Sequence, residues 1–429
     1  MKLVYFPEKE SWETLYNRQG IDKNDLTDVV RSIINGVKSE TDKAIYYYAK
    51  KFDGISPGEL KVSSTEIKES TGHIPKELKN AIKIAKKNIE DFHSVQLHTE
   101  PVVETVKGVK CWRKGVAIEK VGLYIPGGSA PLFSTLLMLG IPARQAGCKE
   151  IIVCTPPGKD GKISNLILYT AQLIGISEIF MVGGAQAIAA MAYGTESIPK
   201  VYKIFGPGNQ YVTKAKEMVQ QDGISIDMPA GPSEVLVIAD SRANPEFVAA
   251  DLLSQAEHGP DSQVIMLTDN KALIERVKTE VGKQVKLLPR KDIAIKALEN
   301  SKLILLPTID DCIDFSNSYA PEHLIINTSD IRSDANKVIN AGSVFLGSFS
   351  CESAGDYASG TNHTLPTNGF AKNYSGVSTE SFLRKISFQE ISEEGMKYLG
   401  PSIELMAEAE SLAGHKNAVS IRLKSLKNG

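Results

Sequence analysis

The histidines of this chain are unevenly distributed, and histidine is the side chain whose ordinary pKa lies nearest to neutral pH. Of the seven histidines, four lie in the C-terminal part of the chain with a polar or acidic residue close by: His258, His323, His363 and His415. Imidazole and carboxylate groups together can transfer protons or bind divalent metal ions. These four positions therefore mark the segments in which we expect chemistry. The other three histidines, His73, His93 and His98, lie in a charged N-terminal region, where solvated surface positions are expected.

The first segment contains Gln255 and His258, which are three positions apart and are followed by Gly259. On a helix ended by this glycine, the two side chains lie one turn apart on one face and could present two ligands to a metal ion. A histidine favoured by the dipole at a helix C-terminus explains the same spacing. Because glutamine is an uncommon zinc ligand, spacing alone favours the second explanation.

The second segment is Ala320-Pro-Glu-His, just ahead of an apolar run over 324–326. The proline keeps Ala320 out of a helix and places Glu322 and His323 at the entrance of a predicted strand. A carboxylate beside an imidazole could supply two proton-transfer groups. A capping or surface pair explains the two residues equally well from sequence alone.

Two further segments carry histidine. Residues 348–367 are rich in Gly, Ser and Thr, and their length predicts a functional loop that contains Asp356 and His363. His415, in contrast, lies in an apolar helical stripe with Leu412 and Val419, where a buried structural histidine is the default expectation.

Three glycine-rich turns follow predicted strands, at 126–128, 183–184 and 206–208. None completes the pattern G-x-G-x-x-G, because Tyr211 stands where the third glycine would be. Each turn alone is weak support for dinucleotide binding, since α/β folds need glycines in such turns. Three of them at strand C-termini in one unit are a moderate signal.

The elements that position these groups change type along the chain. Apolar residues at three- and four-residue spacing predict helices over 26–37 and 76–92. From residue 121, short apolar runs alternate with helical stretches, which predicts strands over 121–125, 151–154, 179–182, 203–205, 235–239, 264–267, 303–306, 324–326 and 344–346. This alternation predicts an α/β fold with mainly parallel sheets, arranged as two Rossmann-like units with helical N-terminal and C-terminal extensions. The helical tail must pack on its own chain or on a partner.

Composition limits the classes of function. The 429 residues are 42% hydrophobic and 23% charged, as in a globular protein, and the formal net charge of −2 argues against a nucleic-acid partner. The N-terminus does not read as a signal peptide, and the apolar stretch at 130–143 is too short to span a membrane. The five cysteines form no CxxC pair, so we expect reduced thiols in a cytoplasmic protein that acts on a small molecule.

Taken in order, these segments resemble the histidinol dehydrogenase family. The most specific stretch begins Ile226-Asp-Met-Pro-Ala-Gly-Pro-Ser-Glu and runs to His258. Around it stand Tyr124-Ile-Pro-Gly-Gly, Gly206-Pro-Gly-Asn-Gln-Tyr-Val, Ala320-Pro-Glu-His and Gly355-Asp-Tyr-Ala-Ser-Gly-Thr-Asn-His. The similarity extends from Val121 to Val419.

The resemblance implies a two-step oxidation of L-histidinol through L-histidinal to L-histidine, the last steps of histidine biosynthesis, with NAD and one Zn²⁺ per subunit. It implies an octahedral zinc site built from Gln255, His258, Asp356 and His415. His323 is then the base for both oxidations and Glu322 activates the water. This resemblance overturns the default expectations for Gln255 and His415.

The resemblance also implies the remaining contacts. Substrate contacts are Ser233, Gln255, His258, His323, Asp356, His363, Glu410 and His415, and NAD contacts are Tyr124, Gln186 and Asn209. Glu410 and His415 are expected to reach the site of a neighbouring subunit, which makes a homodimer with shared active sites. We therefore divide the chain into an N-terminal arm (1–22), a discontinuous α/β domain (23–120 and 234–376), a second α/β domain (121–233) and a helical C-terminal extension that contacts the partner (377–429).

Three alternatives compete with this interpretation. A related zinc-dependent dehydrogenase could act on another small alcohol, such as a sulfonated diol, but Ser233, Glu410 and His415 match the histidinol pattern. A metal hydrolase could use the same zinc ligands without a nucleotide, but the glycine turns and Asn209 argue against it. A non-catalytic protein with a structural metal would not need Glu322 and His323 together at a strand entrance.

Overall fold

The computed structural model describes residues 1–16, 18, 23–55, 58–127, 131–229 and 231–427. The strands are β1 (Lys2–Tyr5), β2 (Val103–Val106), β3 (Val109–Ala117), β4 (Lys120–Tyr124), β5 (Glu150–Thr155), β6 (Glu178–Met181), β7 (Lys203–Phe205), β8 (Ser225–Ile226), β9 (Glu234–Ala239), β10 (Gln263–Thr268), β11 (Lys302–Leu305), β12 (His323–Asn327), β13 (Ser343–Leu346) and β14 (Leu383–Ile391). The α-helices are α1 (Trp12–Leu15), α2 (Lys23–Tyr48), α3 (Ser64–Glu69), α4 (Lys76–Ser94), α5 (Phe133–Ala146), α6 (Asn165–Leu173), α7 (Gly184–Tyr193), α8 (Gln210–Gln221), α9 (Pro245–Ala256), α10 (Lys271–Gln284), α11 (Lys291–Glu299), α12 (Ile309–Tyr319), α13 (Ile331–Ala335), α14 (Glu352–Tyr357), α15 (Glu393–Ala409) and α16 (Ala413–Ser425).

The larger sheet has six strands in the order β1-β11-β10-β9-β12-β13, and all neighbours run parallel. Its central strand β9 has the sequence Glu-Val-Leu-Val-Ile-Ala and is buried along its whole length. Continuous apolar runs of this kind form parallel strands whose two faces are both covered by helices. β1 was not predicted: it lies inside the segment expected to be an N-terminal arm and pairs with β11.

The second sheet has five parallel strands in the order β6-β5-β4-β7-β8. A third sheet, in the order β14-β3-β2, is antiparallel. The predicted α/β class with mainly parallel sheets is therefore confirmed. Each strand predicted from residue 121 onwards overlaps a strand of the structure.

The helices α2, α3 and α4 pack on the five-stranded sheet, whereas Trp12 and Leu15 of α1 pack on the six-stranded sheet. Val30 and Ile33 of α2 share a hydrophobic core with Ile152 and Phe180 of that sheet. The sequence-based division had instead grouped residues 23–120 with 234–376. The contacts of α2 argue for attaching this helix to the unit that contains 121–233, and the domain boundaries themselves stay a prediction.

One histidine of these helices corrects a prediction. His93 lies at the end of α4 and is fully buried, not solvated. Its Nδ1 lies 2.9 Å from the Ile89 carbonyl oxygen, and its Nε2 lies 3.3 Å from the amide nitrogen of Asn362. Since a carbonyl oxygen can only accept, Nδ1 donates and Nε2 accepts from Asn362. His93 therefore fixes the loop that carries His363.

Three local features differ from the sequence interpretation. The helix α9 ends at Ala256, so His258 lies in the turn after the helix and not on its last turn. The loop predicted over 348–367 contains the short helix α14. The C-terminal extension, predicted as helical, also contains the strand β14, which pairs with β3.

The remaining C-terminal elements are the helices α15 and α16, which pack against each other. They leave large apolar side chains exposed, namely Tyr398, Leu405, Met406 and Ile421. No helix within the described part of the chain is long and apolar enough to cross a membrane.

Candidate active site

A cavity of about 510 Å³ lies between the two parallel sheets. Ser233 and His323 line it from the N-terminal ends of β9 and β12. Gly206 and Asn209 line it from the turn after the C-terminal end of β7. Ligands of open α/β sheets bind outside the carboxyl ends of parallel strands, and the five-stranded sheet presents such an edge to this cavity.

The loop that follows α12 brings Glu322 and His323 to the cavity. Ala320 ends the helix with a left-handed φ of 55°, and Pro321 prevents the helix from continuing. Glu322 and His323 are both buried. The Oε2 of Glu322 accepts a hydrogen bond of 2.8 Å from the backbone N–H of Glu234.

His323 lies between polar groups on both sides of its ring. Nδ1 lies 3.1 Å from the Glu234 carbonyl oxygen and 3.0 Å from the amide nitrogen of Gln255. Nε2 lies 3.5 Å from Oδ1 of Asp356 and has no hydrogen-bond partner among the described residues. Burial acts to lower the pKa of His323, but the carboxylates of Glu322 and Asp356 outweigh it and raise this pKa well above its usual value. When Nδ1 donates to the Glu234 carbonyl, Nε2 is the ring nitrogen left without a hydrogen-bond partner among the described residues.

A set of metal-ligand groups lies on one side of His323. His258, Glu352 and Asp356 each offer a ligand atom, and these atoms lie within 4.8 Å of one another. Gln255 is buried, and its Oε1 has no hydrogen-bond partner among the described residues. A buried amide oxygen without a partner is costly unless a cation or donor meets it. Nitrogen and oxygen donors in this arrangement fit a zinc ion.

His363 approaches the same group from the loop after α14. Its Nδ1 lies 2.9 Å from the carbonyl oxygen of Asp356, and its Nε2 lies 3.2 Å from Oγ1 of Thr135. Burial lowers the pKa of His363, which keeps the ring neutral. His363, Asp356, Ser233 and His258 all line the cavity.

Comparison with known proteins decides the family. The family model described as histidinol dehydrogenase matches residues 16–423. The chain belongs to the histidinol dehydrogenase family. It is 60% identical over 427 residues to a histidinol dehydrogenase of Bacteroides thetaiotaomicron, covering 100% of both chains. It is 53% identical to one of an Escherichia coli strain, covering 94% of this chain and 92% of the relative.

A solved structure agrees with this assignment. The crystal structure of histidinol dehydrogenase from Elizabethkingia anophelis matches with a TM-score of 0.97 and 56% sequence identity, over 100% of this chain and 99% of the other. The resemblance drawn from the sequence motifs is thus confirmed at the level of the family. The N-terminal hundred residues, which carried no recognisable motif, are included in these full-length matches.

The structure does not bring every expected residue of the family site into one chain's cavity. Glu410 and His415 are exposed, and neither lines the cavity. His415 is therefore not the core histidine that its apolar stripe suggested. An exposed position next to the uncovered apolar face of α15 and α16 is compatible with a contact to another chain.

Of the three expected NAD contacts, Asn209 alone lines the cavity. Its side-chain oxygen accepts hydrogen bonds of 3.1 Å from the backbone N–H groups of Tyr211 and Val212 and so caps α8. Tyr124 and Gln186 are buried beside the neighbouring glycine turn, where the Gly184 N–H donates a 3.0 Å bond to the Tyr124 hydroxyl. Burial raises the pKa of Tyr124 to about 12, so its hydroxyl stays protonated.

Two ionisable groups of the site were missed by sequence reasoning. Glu352 is buried, accepts a 3.0 Å hydrogen bond from Ser254 and has a pKa raised well above its usual value by burial. It lies four residues before Asp356, a spacing that places two carboxylates on one helical face and could have indicated it.

The second missed group is Lys216, which is buried in an ion pair with Asp227. The two side chains bind the Gly206 backbone on either side of its Cα: Lys216 donates to its carbonyl oxygen at 3.0 Å and Asp227 accepts from its N–H at 2.7 Å. No sequence signal marked this pair. It fixes the glycine turn that lines the cavity.

Proposed function

We propose that this protein oxidises L-histidinol to L-histidine in two successive NAD-dependent steps. The main support for this proposal is that a glutamate–histidine pair, metal-ligand groups and a glycine turn meet at one cavity. The chain that forms this cavity belongs to the histidinol dehydrogenase family. The full-length relatives described above carry the same name. This agreement favours L-histidinol over a sulfonated diol, and it favours a dehydrogenase over a hydrolase or a non-catalytic protein.

Gln255, His258 and Asp356 would hold one zinc ion per subunit, with His415 supplied by a second copy of the chain. Glu352 lies close enough to His258 and Asp356 to join them. When bound, zinc supplies a Lewis acid that orients the nitrogen groups of the substrate. The buried and unpartnered Oε1 of Gln255 supports this assignment.

The first oxidation converts the alcohol to the aldehyde. The neutral form of His323 removes the hydroxyl proton of L-histidinol through Nε2, while the hydrogen on the same carbon leaves as hydride, for which NAD is the acceptor. The products are L-histidinal, NADH and a proton held on His323. Asp356, 3.5 Å from Nε2, stabilises the resulting imidazolium.

The second oxidation needs a water molecule. Glu322 removes one proton from the water as its oxygen adds to the aldehyde carbon, and protonated His323 returns its proton to the carbonyl oxygen, which gives the hydrate. His323, neutral again, then removes a hydroxyl proton of the hydrate as a second hydride leaves, for which a second NAD is the acceptor. The carboxylic acid of L-histidine and a second NADH result. The 2.8 Å bond from the Glu234 N–H orients one oxygen of Glu322 for this role.

Binding of the two organic molecules is assigned to opposite walls of the cavity. Ser233 and His363 contact the substrate together with the metal ligands, and Glu410 of a second copy completes its site. Asn209 and the turn that begins at Gly206 bind the dinucleotide, with Tyr124 and Gln186 behind the neighbouring turn. The active assembly is then a homodimer with two shared sites, and the protein acts in the cytoplasm.

A substrate panel tests this function. Purified full-length protein with Zn²⁺ and NAD would be offered L-histidinol, L-histidinal, a sulfonated propanediol and simple primary alcohols, and products would be identified by mass spectrometry. We expect L-histidine from the first two substrates and no product from the others. Oxidation of the sulfonated diol without oxidation of L-histidinol would overturn the proposal, and cleavage of an amide without NADH would favour the hydrolase.

A further inference from the structure

An arginine of the N-terminal segment lies beside the proposed proton-transfer groups, although the mechanism above gives it no role. Arg18 forms a bidentate ion pair with Glu234: its Nε donates to Oε1 and its Nη2 donates to Oε2 at 3.0 Å. The side chain of Glu234 is 2% exposed and that of Arg18 is 14% exposed. This pairing fixes the orientation of both side chains, because two parallel hydrogen bonds define a plane.

The same guanidinium also holds the end of α12. Its Nη2 donates a 3.0 Å hydrogen bond to the Tyr319 carbonyl oxygen, and its central carbon lies 3.8 Å from the centroid of the Tyr319 ring. Tyr319 is the last residue of the helix and immediately precedes the left-handed Ala320 and Pro321. Arg18 thus contacts the start of the turn that ends in Glu322 and His323.

Glu234 connects this pair to the chemistry through its backbone. Its N–H donates to Oε2 of Glu322 at 2.8 Å, and its carbonyl oxygen lies 3.1 Å from Nδ1 of His323. Its carboxylate also accepts a 2.8 Å bond from the Asn368 N–H. The backbone of one residue therefore contacts both proposed proton-transfer groups, and the side chain of that residue is held by Arg18.

We propose that Arg18 is a positioning residue for the Glu322–His323 pair. It binds Glu234 and Tyr319 at the same time, so the Glu234 backbone and the turn after α12 keep a fixed relative position. The inference rests on the proposed function for the roles of Glu322 and His323. A planar guanidinium fork suits this task, because a lysine ammonium is a single point of charge and cannot make two parallel bonds while stacking on a ring.

Stability alone does not account for the arrangement. The desolvation penalty of a buried ion pair largely offsets its Coulomb attraction, so the pair contributes little net stability. We therefore expect its main effect to be on the geometry of the groups that it binds. The comparable bidentate pair between Arg113 and Glu100 lies at the surface, with 57% of the Arg113 side chain exposed, and does not line the cavity.

The test compares Arg18→Met, Arg18→Lys and Arg18→Ala in the full-length zinc-loaded protein, with Arg113→Met as the matched control. We expect kcat of all three Arg18 variants to fall by about 10- to 100-fold, the cost of misplacing reacting groups by about 1 Å. Zinc content and the KM for NAD should stay at the wild-type values. Millimolar guanidinium should restore part of kcat to Arg18→Ala, whereas ammonium should not.

A merely structural role gives a different result. Lower melting temperatures with an unchanged kcat per folded molecule, or no rescue by guanidinium, would overturn the proposal. If Arg18→Met fails to fold because Glu234 is left buried and unpaired, the double variant Arg18→Met/Glu234→Gln removes that charge. We expect the double variant to fold and to keep the low kcat, and a wild-type kcat in it would overturn the proposal.

A spectroscopic readout separates this inference from the proposed function. In protein with labelled histidine, Arg18→Met should shift the ring resonances of His323, assigned by their loss in His323→Asn, and Arg113→Met should not. If the wild-type protein makes no NADH from L-histidinol, the proposed function is wrong. The His323 resonances would still show whether Arg18 positions His323. Unchanged His323 resonances in Arg18→Met would overturn it.

Discussion

Glu322 and His323 are neighbours in sequence but are held differently in the structure. Glu322 lies in the turn before β12, and one of its oxygens is bonded to the Glu234 N–H. His323 is the first residue of the strand and turns Nε2 towards Asp356. The pair can therefore divide two proton transfers between two groups, one for the water and one for the hydroxyl.

The base is tested by His323→Asn. The asparagine keeps a polar side chain but cannot take a proton, so both oxidations should lose about 10²- to 10⁴-fold in kcat, the usual contribution of a general base. L-Histidinol should still bind, as measured by calorimetry. His73→Asn, at an exposed histidine, serves as the control. A turnover near that of the wild type in His323→Asn would contradict the assignment.

Glu322→Gln tests water activation. The amide still accepts the hydrogen bond from Glu234 but cannot remove a proton from water, so oxidation of L-histidinal should suffer more than oxidation of L-histidinol. Rates of NADH formation from each compound, measured separately, give the ratio. Equal losses for the two substrates would mean that Glu322 does not act on the water.

The sequence indicated much of the candidate site at this scale. Gln255, His258, Asp356 and the Glu322–His323 pair were predicted to act together, and all five line the cavity. Their individual roles stay proposals. Lys216, Arg18 and Glu352 were not predicted, because a charged residue looks the same in sequence whether it is buried or exposed. Arg18, for example, meets its partner across 216 positions.

Among the elements, the turn between β7 and α8 places backbone groups at the cavity. Gly206 has φ +130°, and a Cβ at this position would lie 2.1 Å from the Tyr124 carbonyl oxygen. The ion pair of Lys216 and Asp227 binds both the N–H and the carbonyl oxygen of Gly206. The turn can thus keep the shape needed to approach a dinucleotide closely.

Gly206→Ala tests this element, and Gly223→Ala is its control. Gly223 also has a positive φ, of +88°, but no atom lies within 4 Å of a Cβ there, so its variant measures backbone strain alone, about 1–3 kcal/mol. Gly206→Ala should lose more stability and should raise the KM for NAD, because the Tyr124 backbone must move. Equal effects in the two variants, with an unchanged KM for NAD, would exclude this turn from the dinucleotide site.

Strands were predicted correctly where both faces of the strand are buried, because burial requires a continuous run of apolar residues. The strands of the parallel sheets are continuous apolar runs, as in β9. The strand β14 is mostly exposed, and its sequence Leu-Arg-Lys-Ile-Ser-Phe-Gln-Glu-Ile mixes apolar and charged residues, so it was assigned to a helical extension. The short helix α14 lies among glycines and serines that carry no helical periodicity.

At the scale of the whole molecule, the fold leaves Glu410 and His415 exposed and outside the cavity of their own chain. In the proposed zinc site His415 is a ligand, yet it lies on an exposed helix outside the cavity, and α15 and α16 expose apolar side chains such as Leu405 and Met406. Large exposed apolar patches mark interaction surfaces. A homodimer that exchanges these helices follows from the proposed zinc site.

Mixed dimers test the exchange. His323→Asn and His415→Asn should each be inactive alone, while a random mixture should recover about a quarter of wild-type activity, since half of the dimers are heterodimers with one intact site. Differently tagged chains would confirm that heterodimers form. Heterodimers without activity would place His415 in the site of its own chain.

The yield of NADH per L-histidinol consumed tests the central claim most directly. It is followed by absorbance with Zn²⁺ present, after chelation and after Zn²⁺ is restored. We predict two NADH per substrate, loss of turnover on chelation and recovery with zinc, because two hydrides leave the same carbon in a metal-organised site. If folded, zinc-loaded protein forms no NADH from L-histidinol, the proposed oxidation is wrong. A yield of one NADH per L-histidinol would show that the protein does not carry out the second oxidation.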